Sequence, residues 1–450
     1  MDFFARVAFD IILIAPFIVF LFQALSRWAG AGFNSLQSET IFAKLTVLAF
    51  MVSGCAATVT LVLLSVLDLS HIRLLSEAWF QVDHYSFHWS FIADKLSLLF
   101  CMLIAALVSL IGTFSQRYLH QDPGFFRFYL LLTLFGFSAL ILATAGTLEV
   151  VFFGWELIGL ASALLISFFN ERPQPLYCGL RTYVTYRLCD VGLLLAVVLS
   201  HFGHGTGSFV AGEGEWFLTL PVPHAEYQLL AITLLLLWAS IGKSGLYPLG
   251  DWLPRAMEGP TPSSAIFYGA ISVHLGVFLL LRISPLFEAS LLCSTLLIIV
   301  GFVTALHATF VGRAQTDVKT VLAYASMTQI GIIVMEIGLG FPTLAVVHMV
   351  GHAFLRTLQI LRSPNILHDR HQLEQAMGEV LPRTGSHLEK MVPAKLQPWL
   401  YRAALERGHI DTILVDYVAG GFLRITRFFD HLEKRWANFL TGSKSSEEVS

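Results

Sequence analysis

Apolar stretches of about twenty residues, each long enough to cross a ~30 Å hydrocarbon core, recur along this chain from its N-terminus to about residue 360. Within lipid every backbone polar group must find a partner inside its own segment. The chain therefore reads as an all-α integral membrane protein. Only 13% of its 450 residues are charged, about half the share in an ordinary soluble domain. About eleven transmembrane helices are expected, near 8–25, 41–67, 93–114, 127–145, 147–169, 178–202, 228–250, 263–283, 288–310, 319–338 and 342–362. The first is as long as a full span and carries Asp10 and Pro16, so it does not read as a cleavable signal peptide. The five cysteines are scattered and form no CxxC pair, which indicates neither a disulfide framework nor a thiolate metal site.

Basic residues orient the spans. With the N-terminus outside, Arg27, Arg117, Arg127, Arg172, Arg181, Arg255 and Arg313 fall in cytoplasmic loops together with the basic tail. The opposite face receives only Arg6, Arg73 and Arg282, and the loop from His201 to Tyr227 has no Lys or Arg. This is a positive-inside pattern, and it expects a multi-pass protein of a bacterial inner membrane with a cytoplasmic C-terminus. Trp79 to Phe91 alternates apolar and polar residues, as a short outer hairpin capping the bundle would. Beyond about Asn365 the apolar runs stop. The tail has amphipathic stretches, such as Ile410 to Trp436, too polar to span.

Ionisable residues inside spans are costly and mark wet pathways or bundle interiors. Glu156 lies in VVFFGWELIGLASALLISFF. It reads either as a neutral carboxyl hydrogen-bonded to a neighbouring helix or as a group that takes and releases protons. Lys243 lies in WASIGKSGLYPLGDWLP, where three glycines and Pro248 follow in quick succession or flank it, so the seventh helix should break there. A break at membrane depth must line a cavity or be buried in protein. Lys243 is thereby a proton partner for Glu156 rather than a snorkelling surface lysine. His348, His352 and Arg356 recur at i, i+4 and i+8, one helix face. Three readings stay open for them: a proton relay, a pair of structural histidines, or a metal site. His274 stands alone in the eighth span, where a hydrogen-bonded core residue and a pathway residue are equally consistent. Lys319, beside Asp317, stands at the start of the tenth span as a paired surface charge or a pathway entrance. Arg181, Arg187 and Asp190 read as a structural ion-pair network near the lysine, as does Asp317 at its helix start.

Four segments go beyond chemistry. GWELIGLASALLI (154–166), IGKSGLYPLGDWLPRAMEGPTPSSA (241–265), QTDVKTVLAYASMTQIG (315–331) and HMVGHAFLRTLQIL (348–361) resemble the antiporter-like subunits of respiratory complex I and of multisubunit cation/proton antiporters. The resemblance implies a proton pathway through Glu156, Lys243, Lys319, His348 and His352. It departs at Tyr268, where the family usually has a histidine that His274, six residues later, would have to replace. It departs again at Arg356, which takes the place of a lysine and cannot deprotonate, and at Glu258, where alanine is common. The family fold has two inverted five-helix repeats. Here residues 1–125 would be N-terminal helices with the hairpin, 126–283 a complete first repeat, 284–364 a truncated second repeat, and 365–450 a partner-binding cytoplasmic tail.

A shortened subunit of this kind resembles the membrane component of DAB or Mps-type inorganic-carbon accumulation systems. That resemblance implies a transporter subunit without enzymatic activity or cofactor of its own. It would conduct H+ or Na+ to drive CO2 to bicarbonate conversion by a large cytoplasmic carbonic-anhydrase-like partner, which would hold the zinc. Two other expectations compete with it: a subunit of a complex I-like or hydrogenase-like redox pump, and an intramembrane metalloenzyme built on His348 and His352.

Overall fold

The computed structural model describes residues 2–29, 36–82, 85–204, 206–213, 216–377, 393–409, 417 and 420–441. Two compact units divide the chain, Met1–Pro382 and Arg383–Ser450. In the first, α1 (Asp2–Trp28) and α2 (Leu36–Val66) precede an antiparallel hairpin of β1 (Ile72–Val82) and β2 (Tyr85–Ala93). Then come α3 (Lys95–Tyr118), α4 (Phe125–Thr144), α5 (Leu148–Ile166), α6 (Pro173–His204) and α7 (Glu226–Ser244). Two one-turn helices, α8 (Trp252–Arg255) and α9 (Thr261–Ser264), lead through a π-helical turn (Ala265–Ala270) into α10 (Ser272–Arg282). Short α11 (Ser284–Glu288) is followed by α12 (Leu291–Gly312), α13 (Val318–Gly338) and α14 (Pro342–Met377). Eleven of these segments are long and apolar enough to cross a membrane. The protein is an all-α multi-pass membrane protein, and the expected number of spans is met.

One expectation changes. The hairpin occupies 72–93 rather than 79–91, because Ile72 to Leu75 pair with Ala93 to Ser90 ahead of the aromatic stretch. The last span ends at Ser363, as expected, and its helix α14 continues beyond it to Met377. Arg282, at the end of the eighth span, is buried. Only 2% of its surface is accessible, and it closes the bundle where hairpin meets helix. Its guanidinium pairs with Asp94 and also reaches Ser97 Oγ at 2.6 Å and the Leu218 carbonyl at 3.1 Å. Asp94 caps α3 by accepting from the Ser97 backbone N–H at 2.8 Å and accepts the Leu218 N–H at 2.9 Å. Burial alone would push the Asp94 carboxyl up. The Arg282 charge and these hydrogen bonds outweigh that and hold it below the usual carboxylate range.

The Asp94–Arg282 contact fixes the hairpin end of the bundle: α3 starts there and α10 finishes there. The segment from α9 to α10 is the centre, with the described side chains of its apolar window buried, whereas α1 and α12 bury only 22% and 28% of theirs, as peripheral lipid-facing helices do. The π turn has a packing counterpart. Gly269 lies so close to α14 that a Cβ there would stand 2.6 Å from the Thr357 backbone nitrogen, so only glycine lets these backbones meet.

In the second unit, helix Gln397–Leu405 precedes helix Gly420–Thr441. The latter carries Leu423, Ile425, Phe428, Phe429, Leu432 and Trp436 exposed, an apolar stripe at helical spacing. Ile413, Val418 and the side chain of Phe422, expected to belong to this stripe, lie outside the described residues.

Candidate functional site

The α7 helix ends at Ser244 because Gly245 adopts a left-handed φ of 66°, a helix stop that glycine makes without steric cost. The groups released by the break are taken up locally. Leu246 N–H donates to the Ile241 carbonyl at 2.9 Å, the Trp252 indole to the Gly242 carbonyl at 2.9 Å, and Tyr247 N–H to Thr304 Oγ1 at 3.0 Å. Lys243 thus sits in the last turn before the stop with 1% of its surface exposed. Its ammonium donates to the Trp155 carbonyl at 2.9 Å and lies 4.4 Å from the Tyr186 ring centroid and 5.0 Å from that of Trp155.

Glu156, next to Trp155 on α5, does not pair directly with Lys243. Its carboxylate meets the Arg187 guanidinium on α6, which also contacts Asp190 at 2.7 Å. The Trp155 indole N–H donates to Asp190. Arg187 therefore stands between two carboxylates, while Lys243 lies against the aromatic wall and Trp155 joins the two groups. A fixed guanidinium beside two carboxylates neutralises part of their charge in a low-dielectric interior and leaves the lysine as the titratable cation. Arg181 belongs to a different contact. It donates to Asp251 at 2.9 Å, where Arg255 also binds at 2.7 Å, beyond the break.

A hydroxyl contact leads from this cluster toward α10. Tyr186, whose ring covers Lys243, has its phenol 3.4 Å from Ser272 Oγ, two residues before His274. His274 is fully buried, and its Nε2 lies 3.0 Å from Nδ1 of His352 on α14. The structure thus brings His274, which the sequence left equivocal, to one of the two α14 histidines. The side chain of Tyr268 lies outside the described residues, and Glu258 is exposed. One turn beyond His352, Arg356 donates to Gln359 at 2.8 Å.

The three-residue face of α14 is not a single ladder. His348 turns to α13, its Nδ1 2.9 Å from Glu336 Oε1 and its Nε2 2.9 Å from Gln329 Oε1. With both of its nitrogens engaged there, His348 does not converge with His352 in the manner of a chelating pair. Lys319 is half-buried in the first turn of α13. Asp317 is a helix cap rather than an ion-pair partner, accepting from Thr320 N–H at 2.8 Å and Thr320 Oγ1 at 2.9 Å. Glu336 and Gln329 were not singled out from the sequence. A carboxylate two residues from a helix end reads as a boundary charge until the facing histidine is known.

Comparison with known proteins places this geometry. Residues 145–380 match the family model described as NADH:quinone oxidoreductase/Mrp antiporter, TM. Residues 79–129 match that of the NADH-ubiquinone oxidoreductase (complex I) chain 5 N-terminus. Subunit L of the NADH-quinone oxidoreductase of Neisseria meningitidis is 32% identical over 306 residues, 65% of this chain and 45% of that protein. Chain 5 of the NADH-ubiquinone oxidoreductase of Allomyces macrogynus is 35% identical over 317 residues, 70% of this chain and 48% of that protein. The chain thus spans about half the length of the curated relatives it matches. Among solved structures, the Mrp complex from Dietzia sp. DQ12-45-1b superposes with a TM-score of 0.65 at 26% identity, covering 79% of this chain and 37% of that one. The membrane-bound sulfane sulfur reductase, an archaeal respiratory membrane complex, shares the fold at a TM-score of 0.63 and 20% identity.

Proposed function

Because the chain belongs to the NADH:quinone oxidoreductase/Mrp antiporter transmembrane family, we propose that it is a proton-translocating membrane subunit of a multisubunit complex. The observation that carries this reading is a chain of polar and ionisable groups inside an apolar bundle. It runs from Glu156, Arg187 and Asp190, past Lys243 and Tyr186, to Ser272, His274 and His352. Charges of this kind are expensive at membrane depth and are retained where they move ions. The positive-inside pattern supports a C-terminus in the cytoplasm of a bacterial cell.

Two partner classes fit such a subunit. One is the set of redox subunits that the quinone oxidoreductase relatives serve. The other is a zinc-holding, carbonic-anhydrase-like cytoplasmic protein, in which case the ion gradient would drive inorganic carbon uptake. Purification of the chain from its native membrane decides between them. Flavin and iron–sulfur absorbance in the co-purified complex identifies the redox class, and stoichiometric zinc in a soluble partner identifies the carbon class. The core proposal is tested by reconstituting that complex with Glu156→Gln and, separately, Lys243→Ala. Each is expected to insert and assemble but to lose proton flux. Wild-type flux in both would overturn it.

A further inference from the structure

The helix pair α13 and α14 carries a group of side chains, His348 with Glu336 and Gln329, outside the row of groups from Glu156 to His352. Both α13's C-terminus and α14's N-terminus lie at the hairpin end, since α10 ends there against Asp94 and, after the short α11, the spans α12, α13 and α14 follow in alternating directions. Glu336 is two residues from the end of α13, about 3 Å of helix rise. His348 is six residues into α14, about 9 Å. Helical side chains lean toward their own N-terminus, so Glu336 leans into the bundle and His348 leans outward. They meet at 2.9 Å, with side chains 14% and 24% exposed. His352, one turn deeper, is nearly enclosed.

Both ring nitrogens of His348 face oxygen, Glu336 on one side and Gln329 on the other. The Gln329 amide can offer Nε2 either its oxygen or its NH2, whereas the Glu336 carboxylate can only accept, so the ring's Nδ1–H donates to Glu336. Meanwhile Glu336 Oε2 is buried and has no hydrogen-bond partner. That leaves one carboxylate oxygen available to an incoming proton. A proton arriving at Oε2 turns the carboxylate into a carboxylic acid while the ring keeps its Nδ1–H, so one O–H bond forms and the group's charge rises by one. Sodium, which needs several oxygen ligands, fits poorly, because of the two Glu336 oxygens only Oε2 is not already engaged by the ring.

We propose that Glu336, with His348 and Gln329, is the proton-exchange site at the hairpin end of the bundle, and that the ion it takes is H+ rather than Na+. This rests on the proton-translocating reading of the subunit and names where and in what form the ion exchanges. The group adjoins the His274–His352 pair through one turn of α14 and lies within about two helical turns of the hairpin end.

The test uses the complex purified with its native partners, reconstituted in liposomes containing a pH-sensitive dye. Glu336→Gln is expected to lower proton flux about tenfold or more, the scale of one lost proton-transfer group. Glu336→Asp, which keeps the carboxyl one methylene back, should recover most of it. Replacing sodium by potassium on both sides should leave wild-type flux unchanged. Lys243→Ala is run alongside. If it is inactive while Glu336→Gln transports as wild type, the exchange site is wrong and the translocation reading stands. If Lys243→Ala transports normally, the translocation reading itself falls. Sodium-dependent flux would overturn the choice of proton. Should Glu336→Gln fail to assemble, infrared difference spectra of wild type and Glu336→Asp between alkaline and acidic buffer decide. A protonated-carboxyl band that shifts with the substitution supports the site, and an unshifted band overturns it.

Discussion

Replacing Lys243 by methionine should abolish transport while leaving the fold about as stable as before. The structure sets the size of the expected change. The ammonium is 1% exposed and, among the described residues, donates to no carboxylate. Its compensation is one charge-assisted hydrogen bond to the Trp155 carbonyl, about 1.5–3 kcal/mol, and contact with the faces of Tyr186 and Trp155, about 2 kcal/mol when desolvated. Against this stands a desolvation cost of several kcal/mol for a buried ion. The balance is near zero, and a methionine of similar length fills the same space. Thermal unfolding of Lys243→Met in detergent should therefore fall within about 1–2 kcal/mol of wild type, with proton flux lost. Arg187→Met is the contrasting case. It strips the cation from between Glu156 and Asp190 and should cost about 3–5 kcal/mol, the usual price of leaving buried charge unpaired. The reasoning is refuted if Lys243→Met is as destabilising as Arg187→Met, or if it still transports.

Other outcomes follow from particular contacts. His274→Ala and His352→Ala should each cut flux, and the double variant should be no worse than either alone, because the two rings share one hydrogen bond; additive losses would mean that they act separately. Asp94→Asn should destabilise the bundle by about 3–5 kcal/mol, since it leaves Arg282 buried without its counter-charge. Asp94 is held below the usual carboxylate range when folded, so its contribution is fully present above the unfolded-state value and is lost as pH falls through the folded one. Acid unfolding of wild type in detergent should show that loss, and Asp94→Asn should lack it.

Spans, hairpin and helix break were legible in the sequence because each depends on residues close together in the chain. Apolar run length identifies a helix that crosses lipid, and Gly245 with Pro248 marks where one must stop. Single ionisable residues inside such runs, Glu156, Lys243, His274, His348 and His352, were conspicuous for the same local reason. Pairing was not legible. It depends on how each helix is rotated and which neighbour it meets, and a one-dimensional pattern carries neither. Glu156 and Lys243 sit in neighbouring spans, yet Arg187 takes the carboxylate and the Trp155 carbonyl takes the ammonium. His348 and His352 share a helix face, but the first meets α13 and the second α10. Arg282 read as a charge at the end of a span until Asp94, 188 residues away, came against it. Glu336 acquired meaning only from the histidine on the next helix. The sequence by itself determined which segments cross the membrane and which of them carry charge; the packing of α5 on α6 and of α10 and α13 on α14 decided which charges meet, because only contact between distant segments can satisfy an ion where there is no water to do it.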